Sequence, residues 1–218
     1  MLLTTGAQTF HPPVSARNSN TTSMGEARRD GTRLLPSRRP QASGRRMKSS
    51  LAQLAEAVIK EAQARHLTLA TVESCTAGAL GLLLADAPGA SSVFHGSFIV
   101  YTKANKTVAV GVSPALIEAH TAVSREVVEA MARGGIARSP ADIAIAITGV
   151  AGPEPDEDGN PVGLVHIAVA SSDGHLSHRE ANFGARSREA SRALTLDAAL
   201  RLVETIILAS QNRRHPPA

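Results

Sequence analysis

The chain has 218 residues, of which 43% are hydrophobic and only 2% aromatic, so its core must be built from closely packed Ala, Val, Leu and Ile. No apolar run approaches the roughly 20 residues needed to cross a bilayer, and the N-terminus lacks the basic and apolar regions of a secretory signal. We therefore expect a cytoplasmic location and no membrane partner. The single cysteine, Cys75, excludes an intramolecular disulfide and a multi-cysteine zinc site.

The positive charge is concentrated near the N-terminus. Residues 1–46 contain eight Arg against Glu26 and Asp30 and carry a charge of +6, whereas the whole chain carries only +4. The rest of the chain is therefore mildly acidic, and it has few aromatic side chains on which single-stranded nucleic acid would stack. We expect no nucleic-acid partner.

Residues 1–46 are rich in Arg, Ser, Thr and Pro and have no apolar periodicity, which predicts a disordered tail. Three interpretations stay open: a spurious extension upstream of Met47, a basic interaction tail, or a targeting peptide. One folded domain is predicted over 47–212, followed by a flexible C-terminus at 213–218.

Helices and strands are predicted to alternate through this domain. The first helix is expected to begin after Ser49 or Ser50, either of which can cap it. Further helices are predicted over 76–86, 114–120, 124–138 and 187–209, and strands over 67–72, 97–101, 141–148, 163–170 and 178–183. This alternation predicts the α/β class, with a single three-layer domain in which helices flank a mixed sheet.

The segment ESCTAG, residues 73–78, lies where an apolar strand turns into a helix of small residues. The first N–H groups of such a helix have no internal partners, so they can hold an oxyanion or a phosphate. Ser74 would then stand at the open carboxyl end of the sheet, where ligands of α/β proteins bind. A plain helix cap is the alternative.

The segment YTKANK, residues 101–106, follows the next predicted strand. A serine hydroxyl needs a base to take its proton, and a partly desolvated lysine can be neutral enough to do so. Lys106 is a candidate base, and Tyr101 is a candidate proton relay or oxyanion donor. The alternative is an ordinary solvated lysine.

A third candidate is the glycine turn that contains Thr148, Gly149 and Gly152, whose N–H groups can form an anion-binding nest. It is equally typical of a simple turn. The acidic residues beyond it do not form a calcium loop, because the twelfth position is Val165 where a bidentate Glu is required.

Arg188 and Arg192 are four positions apart at the start of the last helix, so they share a face and can grip one phosphate. A solvated helical face is the alternative. The eight histidines include no His-x-x-x-His pair, and we assign no metal and no cofactor.

Taken in order, these segments resemble the CinA C-terminal domain family. The motifs that carry the resemblance are TVESCTAG, PGASSVFHGSFIVYTKANK, GVSPALIEAHTAVSREVVEAMA, AITGVAGPEPDEDGNPVGLVHIAVAS and FGARSREASRAL, within about residues 51–207. Members of this family include nicotinamide-mononucleotide deamidases and commonly self-associate. The resemblance therefore implies a metal-independent serine amidohydrolase that forms a homodimer or a larger homo-oligomer.

The resemblance also implies roles for individual residues. Ser74 matches the nucleophile, and Tyr101 and Lys106 match the tyrosine and lysine that activate it. Cys75 is a rival nucleophile, although adjacent side chains leaving a strand point in different directions. The residues implied to bind substrate are Glu73, Thr76, Gly78, Thr148, Gly149, Gly152 and Arg188, with N–H groups over 76–78 holding the oxyanion.

The chain departs from the family pattern in the loop 153–160, where Pro155, Asp156 and Asn160 stand in a segment that is richer in glycine and lysine in many relatives. A stiffer and more acidic loop would weaken a phosphate contact. Two alternatives therefore stay open beside the mononucleotide amidase: an amidase with a different amide substrate, and a non-catalytic nucleotide-binding or regulatory module.

Overall fold

The computed structural model describes residues 42–210, and for residues 42–49 only the backbone. The helices are α1 (Ala42–Ala64), α2 (Ala79–Ala85), α3 (Lys103–Val110), α4 (Pro114–His120), α5 (Arg125–Ala137) and α6 (Arg188–Ala209). The strands are β1 (Leu69–Glu73), β2 (Phe94–Ile99), β3 (Ile143–Gly149), β4 (Leu164–Ser171) and β5 (Leu176–Asn182). None of the described helices is long and apolar enough to span a membrane.

The five strands form one mixed sheet in the order β2-β1-β3-β4-β5. Strand β1 pairs in parallel with β2 and β3, whereas β3–β4 and β4–β5 are antiparallel. The carboxyl ends of β1, β2 and β3 therefore meet at one edge of the sheet, which is where α/β proteins place their sites. The predicted α/β class with a mixed sheet is confirmed.

Side chains of β3 alternate between two cores. Ile143, Ile145 and Ile147 pack against apolar residues of α1, α2 and α6. Ala146 faces the other core, which is formed with residues of α3, α4 and α5. Because a strand points successive side chains to opposite faces, this alternation creates the three layers, with the sheet in the middle.

The small residues on the second face let α5 approach the sheet closely. A Cβ added at Gly135 would lie only 2.7 Å from Val72 Cγ2 and 2.9 Å from the Cβ of Ala144. Glycine in α5 and alanine in the sheet therefore set the distance between these layers.

Two elements differ from the prediction. Helix α1 begins at Ala42, earlier than the predicted start after Ser49 or Ser50, and the sequence ASGRRMK contains no proline to interrupt it. Helix α3 was not predicted at all. It is bounded by the Thr102 side chain, which accepts from the Asn105 N–H, and by Gly111 in the left-handed conformation. The predictions for residues 1–41 and 213–218 lie outside the described residues.

Candidate active site

Ser74 lies in a sharp turn between β1 and α2. Its N–H donates to the Ile147 carbonyl at 3.0 Å, and the Ala77 N–H donates to the Ser74 carbonyl at 3.0 Å. Ala77 and Gly78 have positive φ angles of 53° and 93°, a conformation that costs a non-glycine residue energy and occurs often at functional sites. The turn holds the Ser74 side chain against a cavity, with only 7% of the residue exposed.

Lys106 is the hydrogen-bond partner of this serine. Its Nζ donates to Ser74 Oγ at 3.0 Å and to the Val100 carbonyl at 3.0 Å. The residue is 1% exposed, and burial lowers the pKa of its ammonium group from 10.5 to about 8. At pH 7 about a tenth of such a lysine is a neutral amine, which can accept the serine proton.

Cys75 lines the same cavity, but its environment keeps it a thiol. Burial raises the pKa of Cys75 to about 12, and a thiol reacts as a nucleophile only after it loses its proton. Its carbonyl accepts a hydrogen bond from Arg192 Nε at 3.0 Å. The structure therefore favours Ser74, which has a base beside it, over Cys75.

Glu73 does not contact the cavity, which corrects its expected place in the substrate site. It is fully buried, and its carboxyl oxygens accept from the N–H groups of Gly78, Leu80 and Gly81 at 3.0, 3.1 and 2.8 Å. The Thr71 hydroxyl donates to it as well, at 3.0 Å. Glu73 thus binds the first turn of α2 to the end of β1 and fixes the direction of the Ser74 turn.

This arrangement also changes the expected oxyanion donors. The Gly78 N–H is occupied by Glu73 and the Ala77 N–H by the Ser74 carbonyl. Among the described residues, none accepts from the Thr76 N–H, which leaves it as the available donor of the segment 76–78. Neither Thr76 nor Gly78 lines the cavity, so their expected contact with the substrate is not seen in the structure.

Tyr101 lies on the cavity wall rather than in the serine–lysine contact. It is 55% exposed and lines the cavity, but within residues 50–210 its hydroxyl has no hydrogen bond. The structure brings Tyr101 to the site without placing it between Ser74 and Lys106, so its role as a proton relay stays a prediction.

The cavity beside Ser74 has a volume of about 580 Å³. The glycine turn after β3 forms part of its wall, and Thr148, Gly149 and Gly152 all line it. The Thr148 hydroxyl donates to the Ala122 carbonyl at 2.7 Å, so it holds the turn in place and contributes little polarity to the cavity.

Arg188 and Arg192 do not act as a pair. Arg188 lines the cavity and is exposed. Arg192 instead donates to the Cys75 carbonyl and is absent from the cavity wall. The expected joint binding of a phosphate by both arginines is therefore wrong, because α6 packs Arg192 against the turn that carries Ser74.

The acidic loop that follows the glycine turn also lines the cavity. Lys103 Nζ donates to Asp158 Oδ1 at 2.7 Å and pairs with Glu157 Oε1 at 2.8 Å. Asp158 first, and then Glu157, raise the pKa of Lys103, which keeps its ammonium group charged. Within the loop, Asp156 accepts from the N–H groups of Asp158 and Asn160 at 3.1 and 2.8 Å.

Sequence reasoning expected the acidic loop to affect a phosphate contact, but it missed Lys103 and its ion pairs with Glu157 and Asp158. A signal for Lys103 was present: Thr102 and Gly111 are typical residues for the two ends of a helix. A helix between them places Lys103 and Lys106 on one face, since residues three apart are neighbours on a helical surface. The ion pairs with the loop depend on the tertiary fold.

The fold and the site together define a class: an α/β domain with a buried serine–lysine pair where its parallel strands end. Residues 51–207 match the family model of the CinA C-terminal domain. The chain therefore belongs to the CinA C-terminal domain family.

Individual relatives agree with this assignment. A CinA-like protein of Parasynechococcus marenigrum is 42% identical over 156 residues, which are 72% of this chain and 37% of the relative. The chain spans about a third of the length of the curated relatives it matches.

Solved structures also resemble the chain. The competence/damage inducible protein CihA of Agrobacterium tumefaciens is 35% identical with a TM-score of 0.68, over 70% of this chain and 93% of that protein. The competence damage-inducible protein A of Klebsiella pneumoniae is 30% identical with a TM-score of 0.68, over 71% of this chain and 95% of that protein.

Proposed function

We propose that this chain is a serine amidohydrolase that converts nicotinamide mononucleotide to nicotinic acid mononucleotide and ammonia. The observation that carries the proposal is the 3.0 Å contact between Lys106 Nζ and Ser74 Oγ, made by a lysine whose pKa burial lowers to about 8. This pair supplies a nucleophile and its base without a metal or a cofactor.

The reaction begins when neutral Lys106 takes the proton of Ser74 and Oγ attacks the carboxamide carbon. The Val100 carbonyl accepts from Lys106 Nζ and so orients the amine toward the serine. The tetrahedral intermediate carries a negative charge on its oxygen. The family resemblance assigns the stabilisation of this charge to N–H groups over 76–78, of which only the Thr76 N–H has no acceptor among the described residues. Lys106 then passes the proton to the leaving nitrogen, and ammonia departs.

The resulting acyl-enzyme is an ester of Ser74. Water attacks its carbonyl carbon while Lys106 accepts a proton from that water, and collapse of the second intermediate returns the proton to Ser74 Oγ. The acid product leaves, and both residues regain their starting protonation states.

The choice of substrate is supported by the family resemblance and by the size of the cavity. Its volume of about 580 Å³ falls within the roughly 300–1,000 Å³ that is typical of small-molecule sites. Arg188 on the wall offers a cation to the phosphate of the mononucleotide. The same resemblance supports a cytoplasmic homo-oligomer, for which light scattering gives the molar mass.

The acidic loop favours two further candidate functions. Four carboxylates line the cavity, those of Glu154, Asp156, Glu157 and Asp158, and their charge opposes a dianionic ligand unless cations offset it. An amidase for a different, less negatively charged amide therefore fits this wall as well, and the changed loop 153–160 keeps a nucleotide-binding module without turnover as the other candidate.

Ammonia release from nicotinamide mononucleotide by the full chain tests the proposal. Wild type should release ammonia, Ser74→Ala should lose activity by a factor on the order of 10³ or more, and Cys75→Ala should retain most of it. Cys75 is the matched control because it lines the same cavity one residue away. Turnover that survives Ser74→Ala, or a folded wild type that releases no ammonia, would contradict the proposal.

A further inference from the structure

Lys103 is the cation that ties the acidic loop to the rest of the site. Its Nζ reaches Asp158 at 2.7 Å and Glu157 at 2.8 Å, and all three residues line the cavity beside Ser74. The loop carboxylates therefore form ion pairs with a lysine that lines the cavity where a substrate would bind.

The two carboxylates are held very differently. Asp158 has 21% of its side chain exposed, its N–H donates to Asp156, and its Oδ2 lies 3.5 Å from the Ala122 N–H. Glu157 has 72% of its side chain exposed, and Lys103 is its only partner among the described residues. Glu157 can leave without disturbing the loop, whereas Asp158 cannot.

We propose that Lys103 is a specificity-determining residue whose ammonium group exchanges Glu157 for the phosphate monoester of the substrate. This inference rests on the proposed function and narrows it to amides that carry a phosphate. Asp158 stays in place and holds Lys103 toward the cavity, and Glu157 acts as a tethered competitor that fills the position until a phosphate arrives.

The exchange is favourable in this geometry for two reasons. An exposed carboxylate–lysine pair is weak because water screens it and because two long side chains must be ordered. A phosphate monoester brings a larger negative charge and three acceptor oxygens. With Arg188 also on the cavity wall, the phosphate gains a second cation that Glu157 does not contact.

The competition predicts opposite effects at the two ends of one ion pair. Glu157→Gln should lower the KM for nicotinamide mononucleotide by about threefold, the range expected from losing an exposed pair. Lys103→Gln should raise this KM by about tenfold or more, because a charge-assisted contact to phosphate is lost. Lys103→Arg keeps the positive charge and should have a KM close to that of the wild type. For nicotinamide riboside, which has no phosphate, both shifts should shrink to less than twofold.

Glu154→Gln is the matched control. Glu154 lies in the same loop, lines the same cavity and loses the same charge, but among the described residues it forms no ion pair with Lys103. If Glu154→Gln lowers the KM as much as Glu157→Gln does, the total charge of the loop sets the affinity for the phosphate. That result would overturn the proposed exchange at Lys103.

The inference is decided separately from the amidase activity by calorimetry with ribose 5-phosphate in the full-length Ser74→Ala protein. Tighter binding with Glu157→Gln and weaker binding with Lys103→Gln support it, whether or not any amide is hydrolysed. If both changes weaken binding, the ion pair is only structural; if neither changes it, the phosphate binds elsewhere. Either result overturns the inference. Melting temperatures of each variant identify those that are folded.

Discussion

At the scale of the residue, Ser74 and Lys106 are 32 positions apart and yet their side chains meet in a buried contact. Burial gives this contact its chemistry, because a lysine removed from water loses part of its preference for the charged form. An exposed lysine at the same distance would remain protonated at neutral pH.

The proposed activity should therefore depend on pH in one direction. Lys106 is active when neutral and has a pKa of about 8, so kcat/KM should rise about tenfold per pH unit below that value and level off above it. Steady-state ammonia release between pH 6 and 9.5 measures this profile. A rate that is constant across that range would show that Lys106 is not the base.

Glu73 supports the Ser74 turn through the backbone. Glu73→Gln replaces one acceptor oxygen by a donor that faces N–H groups, so it should lower the free energy of unfolding by about 1–3 kcal/mol. It should also reduce kcat more than it changes KM, because the Ser74 turn shifts. Urea unfolding and kinetics check this, with Glu118→Gln on the exposed face of α4 as the control. Equal stability of the two variants would contradict the role assigned to Glu73.

At the scale of the element, helices with a long apolar stripe were predicted well. Helix α6 was expected over 187–209 and runs from Arg188 to Ala209. Helix α3 was missed because its eight residues, KANKTVAV, carry only a short apolar face. Its existence matters for the site, since it makes Lys103 and Lys106 neighbours on one helical face.

The close packing of α5 on the sheet gives a prediction at this scale. Gly135→Ala gains helix propensity of about 1 kcal/mol, but its Cβ would meet Val72 and Ala144 at 2.7 and 2.9 Å. Overpacking should dominate, and the free energy of unfolding should fall by about 1–2 kcal/mol. Thermal and urea unfolding measure it, beside Arg133→Ala on the exposed face of α5. A stabilised Gly135→Ala would show that the layers can move apart easily.

At the scale of the whole molecule, the buried base costs stability. The unfolded chain holds the Lys106 proton up to its ordinary pKa of 10.5, whereas the folded protein releases it near 8. Between these values the unfolded state binds more protons, so the free energy of unfolding should rise with pH across this window.

Lys106→Met removes this penalty. At pH 7 it should raise the free energy of unfolding by about 1–3 kcal/mol, after allowing for the lost hydrogen bonds, while it abolishes the proposed activity. Lys60→Met on the exposed face of α1 is the control and should change stability by less than about 0.5 kcal/mol. A destabilised Lys106→Met would mean that the hydrogen bonds of Lys106 outweigh the cost of its burial.

The sequence by itself determined the α/β class, the order of most elements and the strand-to-helix turn at Ser74. These follow from local information: apolar periodicity, capping residues, and the Ser74 motif at a strand-to-helix junction. It also placed Lys106, the glycine turn and Arg188 among the candidate residues, and all of them border one cavity.

Only the tertiary structure decided which contacts these side chains make. Glu73 turned inward to the N–H groups of α2, Arg192 was taken up by the Cys75 carbonyl, and Lys103 was paired with Glu157 and Asp158. The Arg192 contact spans 117 positions and the Lys103–Asp158 contact 55. The Glu73 contacts are close in sequence but depend on the Ser74 turn, which directs the α2 N–H groups toward the carboxylate. Long-range contacts, and the burial that lowers the pKa of Lys106, depend on how elements pack, which no local pattern encodes.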